Sequence, residues 1–132
     1  MLNAASGYFA RMTRGEFVRL HSDDSGKEPV LVAERSSGLR IRVEAMSEGT
    51  LDQLYLALRL AALDVRRAAG VDLPVILDDV LMTSDEDRSG AMLEALADFA
   101  RDSQVIVFTH HRHIADIAAK HVPHEALMLV PL

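Results

Sequence analysis

Leu73-Pro74-Val75-Ile76-Leu77-Asp78-Asp79 is the stretch on which the fold turns. A run this short and wholly apolar suits a strand buried on both faces of a parallel sheet. Upstream, apolar residues at 51, 54, 55, 58, 61, 62 and 65 trace a helical stripe over Leu51–Ala69, which Gly70 ends. Downstream, Ser89–Arg101 is helical, with Met92, Leu93, Leu96 and Phe99 on one side. Gln104-Val105-Ile106-Val107-Phe108 repeats the buried-strand pattern, Arg112–Lys120 reads as a third helix, and Ala126–Val130 as a closing strand. Strands alternating with helices over short links predict right-handed crossovers and a parallel sheet covered by helices.

The first 45 residues have a different texture. Phe17–Leu20, Pro29–Glu34 and Leu39–Glu44 are candidate strands, separated by the polar clusters His21–Gly26 and Ser36–Gly38. They predict a small antiparallel meander, and residues 3–13 before it fit the end of a helix. The expected fold class is therefore α/β, a mostly parallel sheet flanked by helices and preceded by the meander. We read 1–132 as a single domain, with a β-rich opening region 1–45 and a second region 46–132 that carries the chemistry.

Composition bounds the function without naming it. The chain has 132 residues, 49% hydrophobic and 26% charged, ordinary values for a soluble globular domain. No apolar run approaches the ~18–20 residues that cross a bilayer, and the first residues lack a basic segment followed by an apolar core. The absence of cysteine excludes disulfides and thiolate metal sites and is compatible with the cytoplasm. A formal net charge of −6 argues against a broad basic surface for nucleic acid, leaving only a local group at Arg11, Arg14 and Arg19.

In sheets of this kind ligands sit at the carboxyl ends of strands, and the polar residues fall there: Asp78-Asp79 after one strand, Thr109-His110-His111 after the next. Of two adjacent carboxylates, one can hold Mg²⁺ while its neighbour orients or deprotonates a water. A polar strand end leading into a turn is the plainer alternative. Met46-Ser47-Glu48-Gly49-Thr50-Leu51-Asp52-Gln53 opens the long helix, where free N–H groups and the helix dipole favour an anion. There the plainer alternative is capping by Ser47 or Thr50, with Thr50-x-x-Gln53 as a capping box. His110 and His111, with His113, His121 and His124 nearby in the chain and Asp78 and Asp79 as candidate co-ligands, also raise a transition-metal hydrolase. The sequence adjacency of His110 and His111 counts against their sharing one ion.

The order SEGTLDQLYLALRLA, then PVILDD, then VIVFTHH resembles the C-terminal half of an ABC ATPase head, a partial P-loop NTPase lobe. The likeness is to the SMC-like coiled-coil ATPases of chromosome maintenance and double-strand-break repair, above all their YhaN-like branch. It covers Tyr8 to about Val130 and is most specific over Met46–Arg59. The resemblance implies an ABC signature at Ser47-Glu48-Gly49, extended along the helix to Gln53. It implies Asp78 as the Mg²⁺-associated Walker B aspartate and Asp79 in the catalytic-base position, where glutamate is usual. It further implies Asp85, in Met82-Thr83-Ser84-Asp85, as part of a D-loop crossing a dimer interface. Turn and cap chemistry through Ser84-x-x-Asp87 is the alternative for that segment. The switch histidine is His110 or His111, depending on the branch used for alignment.

By the same resemblance, the cofactors are ATP and Mg²⁺ in an assembled head. The partners are an N-terminal lobe carrying Walker A, a second head in an ATP-sandwich dimer, and DNA through the full-length protein, with no membrane. The chain contains no G-x-x-x-x-G-K-[ST], and neither Lys27 nor Lys120 follows such a loop. A fragment, a truncated product or a separately encoded half is the expectation, inactive as an ATPase by itself. A non-catalytic module that docks on another head is the competing expectation.

Overall fold

The computed structural model describes residues 1–80 and 85–132. Helix α1 (Leu2–Met12) leads into the strands β1 (Phe17–Asp23), β2 (Val30–Arg35) and β3 (Arg40–Arg42), paired antiparallel in the order β1-β2-β3. A 3-10 turn (Val43–Ala45) connects to the long helix α2 (Glu48–Ala68). Strand β4 (Val75–Asp78), helix α3 (Glu86–Phe99), strand β5 (Val105–Phe108) and helix α4 (Arg112–His121) follow. β4 and β5 pair in parallel, Val75 opposite Val105 through Asp78 opposite Phe108.

Local chemistry accounts for the borders. Ser47 caps α2, its Oγ accepting the Thr50 N–H at 3.3 Å and lying 2.8 Å from Thr50 Oγ1. Thr50 therefore stands inside the first turn, and the Thr50–Gln53 capping box does not form. At the other end Gly70 takes φ +87°, with the Gly70 N–H bonded to Arg67 O and the Val71 N–H to Arg66 O. That pairing is a Schellman motif, which needs a left-handed residue where only glycine is unstrained. Asp85 caps α3 by accepting the Arg88 N–H at 2.8 Å.

The core lies between the helices and the inward faces of both sheets. Phe9 of α1 stacks on Phe17 of β1 with ring centroids 5.0 Å apart, and Leu54, Ala57, Leu60 and Ala61 of α2 are buried in the same cluster. Val75 and Leu77 of β4 point inward with Met92, Leu96 and Phe99 of α3 and Ile114 and Ile117 of α4. The buried stripe of α2 is rotated from the predicted one. Tyr55 and Val65 are more than half exposed, while Gln53, Leu56, Ala57 and Leu60 are inside.

One predicted element is absent. Residues 126–130 form no strand; a 3-10 turn spans His124–Ala126 and extended chain follows. A short apolar run becomes a strand only against a partner ladder, and Met128, Leu129 and Val130 are exposed. The expected turn at 21–26 also begins later, because β1 continues through Asp23 opposite Val30. The strand expected over 39–44 stops at Arg42, where the 3-10 turn begins. None of the helices, as described, is long and apolar enough to cross a membrane.

Candidate functional site

The parallel register brings the two polar strand ends together. Asp78 is the last residue of β4, exposed, and paired across the sheet with Phe108 of β5. The chain then turns sharply. Asp79 adopts φ +51°, a left-handed conformation uncommon outside glycine, while its N–H stays bonded to Phe108 O at 2.9 Å. This bend carries the Asp79 carboxylate towards the residues that follow β5. Its Oδ2 lies 2.8 Å from His110 Nδ1, and its Oδ1 accepts the His110 N–H at 3.4 Å.

His111 joins the same group. Its backbone N–H is held by Thr109 Oγ1 at 3.1 Å, and its ring lies 4.1 Å from that of His110, centroid to centroid. His111 Nε2 is enclosed and has no hydrogen-bond partner among the described residues. Asp79, His110 and His111 each offer a ligand atom, and these three atoms lie within 4.8 Å of one another. Adjacency in sequence does not keep the two histidines apart, because the bend after β5 turns both rings to one side. His113, His121 and His124 do not enter this group: the His113 ring is 5.5 Å from that of His111, and His121 Nδ1 contacts Glu94 Oε1 at 3.0 Å.

The second set of predicted site residues opens α2. Ser47 and Glu48 are exposed, whereas Gly49 is buried. A Cβ at position 49 would stand 3.3 Å from Arg88 Cζ, so the glycine lets the Arg88 guanidinium lie across the first turn of the helix. Arg88 went unread in the sequence, since nothing local signals that a residue of α3 will reach the start of α2. It sets a fixed positive charge beside a helix N-terminus that already favours anions. Gln53 faces inward instead. It is 2% exposed, and its Nε2 donates to Met12 O at 2.6 Å, tying α2 to the end of α1.

Asp85 is placed by its cap on α3 and is also 3.9 Å from Arg88 Nε. Leu81, Met82, Thr83 and Ser84 lie outside the described residues, so the D-loop expectation and the Ser84–Asp87 capping box are represented here only by Asp85 and Asp87. The arginines near the start are largely neutralised. Arg11 pairs with Asp98 at 2.9 Å, and Arg14 pairs with Glu94 at 2.8 Å, which leaves no basic cluster of Arg11 and Arg14. The Arg14 guanidinium, hydrogen-bonded to Glu94, holds that carboxyl below its ordinary range.

The donor set fits the group that the resemblance implies. An exposed carboxylate at a strand end is an oxygen ligand of the kind Mg²⁺ takes, and the Asp78 side chain makes no hydrogen bond or ion pair among the described residues that would have to break. No protein-family model matches the chain. The protein YhaN of Bacillus subtilis (strain 168) is 32% identical over 117 residues, 88% of this chain. The chain spans about 12% of the length of that relative. The Smc head domain of Pyrococcus furiosus, solved with an extended coiled coil and bound to the C-terminal domain of ScpA, superimposes with TM-score 0.65 at 19% identity. That match covers 91% of this chain and 29% of the other. A structure from work on ATP-driven dimerization and DNA-stimulated activation of SMC ATPases matches with TM-score 0.65 at 21% identity, over 92% of this chain and 73% of its own. The chain thus has the α/β fold of part of an SMC ATPase head and is a distant homologue of YhaN over most of its length.

Proposed function

We propose that the chain is the C-terminal lobe of an SMC-like ATPase head, supplying a signature end, a Walker B end and a switch histidine to a nucleotide sandwich. The observation that carries this reading is the contact of Asp79 with His110 beside Asp78, at the carboxyl ends of two parallel strands. Asp78 would hold Mg²⁺, which supplies charge neutralisation on the phosphates of ATP when bound. Asp79 stands where a base accepts a proton from the attacking water. The contact from His110 Nδ1 orients that carboxylate, which favours His110 over His111 as the switch residue.

On the other side of a sandwich, Ser47 and the N–H groups at Glu48 and Gly49 would face the terminal phosphate of the partner head's nucleotide. The Arg88 charge across Gly49 supports an anion there. Asp85 would lie at the seam between heads, and Gln53 would act from inside by fixing the α2 start against α1. The 132 residues contain no G-x-x-x-x-G-K-[ST], so the loop that cradles the β/γ-phosphates would come from an N-terminal lobe in the same or another polypeptide. DNA is the partner we assign to the full-length protein, in keeping with a role in DNA maintenance, and the cytoplasm its place.

The test is reconstitution. Phosphoryl transfer rests on positioning and charge neutralisation, so the chain alone should hydrolyse almost no ATP. Mixing with an N-terminal lobe from YhaN should restore hydrolysis, and Asp78→Asn should abolish it. Full activity in the Asp78→Asn mixture would refute the assignment.

A further inference from the structure

We propose that Asp79, His110 and His111 form a binding site for a borderline divalent transition metal, with Zn²⁺ as the best-suited ion, separate in chemistry from the Mg²⁺ position at Asp78. Two imidazoles and one carboxylate are the donor set that Zn²⁺ and its neighbours in the first row select, whereas Mg²⁺ prefers oxygen alone. Three observations converge on it. The ligand atoms of the three residues already lie within 4.8 Å of one another. Asp79 Oδ2 and His110 Nδ1 stand 2.8 Å apart, so an ion between them needs only a small opening towards the ~3.3 Å ligand spacing of a tetrahedral site with ~2.0–2.1 Å bonds. His111 Nε2 is enclosed without a hydrogen-bond partner among the described residues, a state that costs free energy and that a metal bond, or a ring turn towards the ion, would relieve.

The protein side of the site is largely prearranged. The bend at Asp79, φ +51°, and the Thr109 hydroxyl on the His111 N–H hold the backbone that presents all three groups. His110 is 69% exposed at its side chain, so an ion has direct access and keeps at least one position for water. Three protein ligands with an open position characterise an exchangeable site, not a buried structural one.

An ion there would occupy the Asp79 carboxylate and the His110 ring together. That consequence rests on the nucleotide role proposed above; binding of the metal does not. The experiment therefore uses the untagged chain alone, without nucleotide or partner. Co²⁺ is titrated while its visible absorption is followed, and Zn²⁺ is then added to displace it. The expected result is a saturable one-to-one signal with the intensity of a tetrahedral or five-coordinate ion, displaced by Zn²⁺ and unaffected by millimolar Mg²⁺. Asp79→Asn and His111→Ala should each weaken binding at least about ten-fold, with far-ultraviolet circular dichroism unchanged. His113→Ala and His124→Ala should leave it within about two-fold of the parent, since neither residue belongs to the group of three. A signal that is absent, that Mg²⁺ displaces, or that survives in Asp79→Asn and His111→Ala would overturn the proposal. Failure of reconstituted ATPase activity would leave this result untouched, so the two readings fail separately.

Discussion

The antiparallel meander, half of whose strand residues are polar, and the almost wholly apolar parallel strand pair end up in different conditions. β1 lies against α1, where Phe9 and Phe17 are enclosed, and Leu20 and Ala33 are buried in the same core. β4 sends Val75 and Leu77 inward, but Ile76 on its other face is 59% exposed, and Phe108 at the end of β5 is 47% exposed. A parallel sheet is normally covered on both faces. The contrast teaches that the first region covers its inner face with its own chain, while the second keeps an apolar face open beside the site residues. That open face is the surface on which the N-terminal lobe of our proposal would pack.

Substitutions on the two faces test the contrast most directly. Phe9→Ala should destabilise the chain by about 3–5 kcal/mol, since it leaves a cavity in a closed core. Ile76→Thr, which keeps the β-branch on an exposed face, should change stability by no more than about 0.5 kcal/mol. Urea unfolding of both variants checks this. Equal losses would show that the second face is covered in solution and would break the comparison.

A smaller effect is expected within the closed region, at the joint between its two helices. Gln53→Leu removes the amide that donates to Met12 O at 2.6 Å and leaves that carbonyl without this partner. The expected loss is about 1–3 kcal/mol of unfolding free energy, read from urea unfolding. A neutral Gln53→Leu would mean that the residue is kept for a role outside the α1–α2 contact.

The smallest effect belongs to the strap that joins the two regions. Glu94 of α3 is held by Arg14, just after α1, and by His121 at the end of α4. The hydrogen bond from Arg14 is the main cause of its lowered pKa. A carboxyl lowered in the folded state stabilises the fold above its unfolded pKa and loses that contribution as pH falls through the folded value. Parent and Glu94→Gln should therefore differ at pH 7 and converge below the ordinary carboxylate range of about pH 4. Because the Glu94 side chain is 38% exposed, solvent screening limits the gap to about 1 kcal/mol at most. Unfolding midpoints of the two proteins across that range provide the measurement, and a gap that grows in acid would contradict the assignment.

Much of this architecture was legible residue by residue. The α2 span, the strands at 75–78 and 105–108 and the left-handed Gly70 follow from periodicity, short apolar runs and glycine chemistry, all local properties. The placement of Asp78-Asp79 and His110-His111 at strand ends was legible for the same reason. The strand expected at 126–130 was not, because pairing is supplied by a neighbour and a short apolar run alone does not contain it. Nor was the rotation of the α2 stripe, which is set by the elements that pack on the helix from elsewhere in the chain.

By itself, then, the amino-acid sequence determined which segments are helical, which strands are short and apolar, and which polar residues sit at their ends. Local sterics, caps and the period of apolar residues suffice for that. Only the tertiary structure decided that Asp79 bends back to His110, that His111 turns to the same side, and that Arg88 lies over Gly49. Each of those contacts joins residues about 30 or more positions apart, or sets the direction of a turn, and so depends on the parallel register and the helix packing.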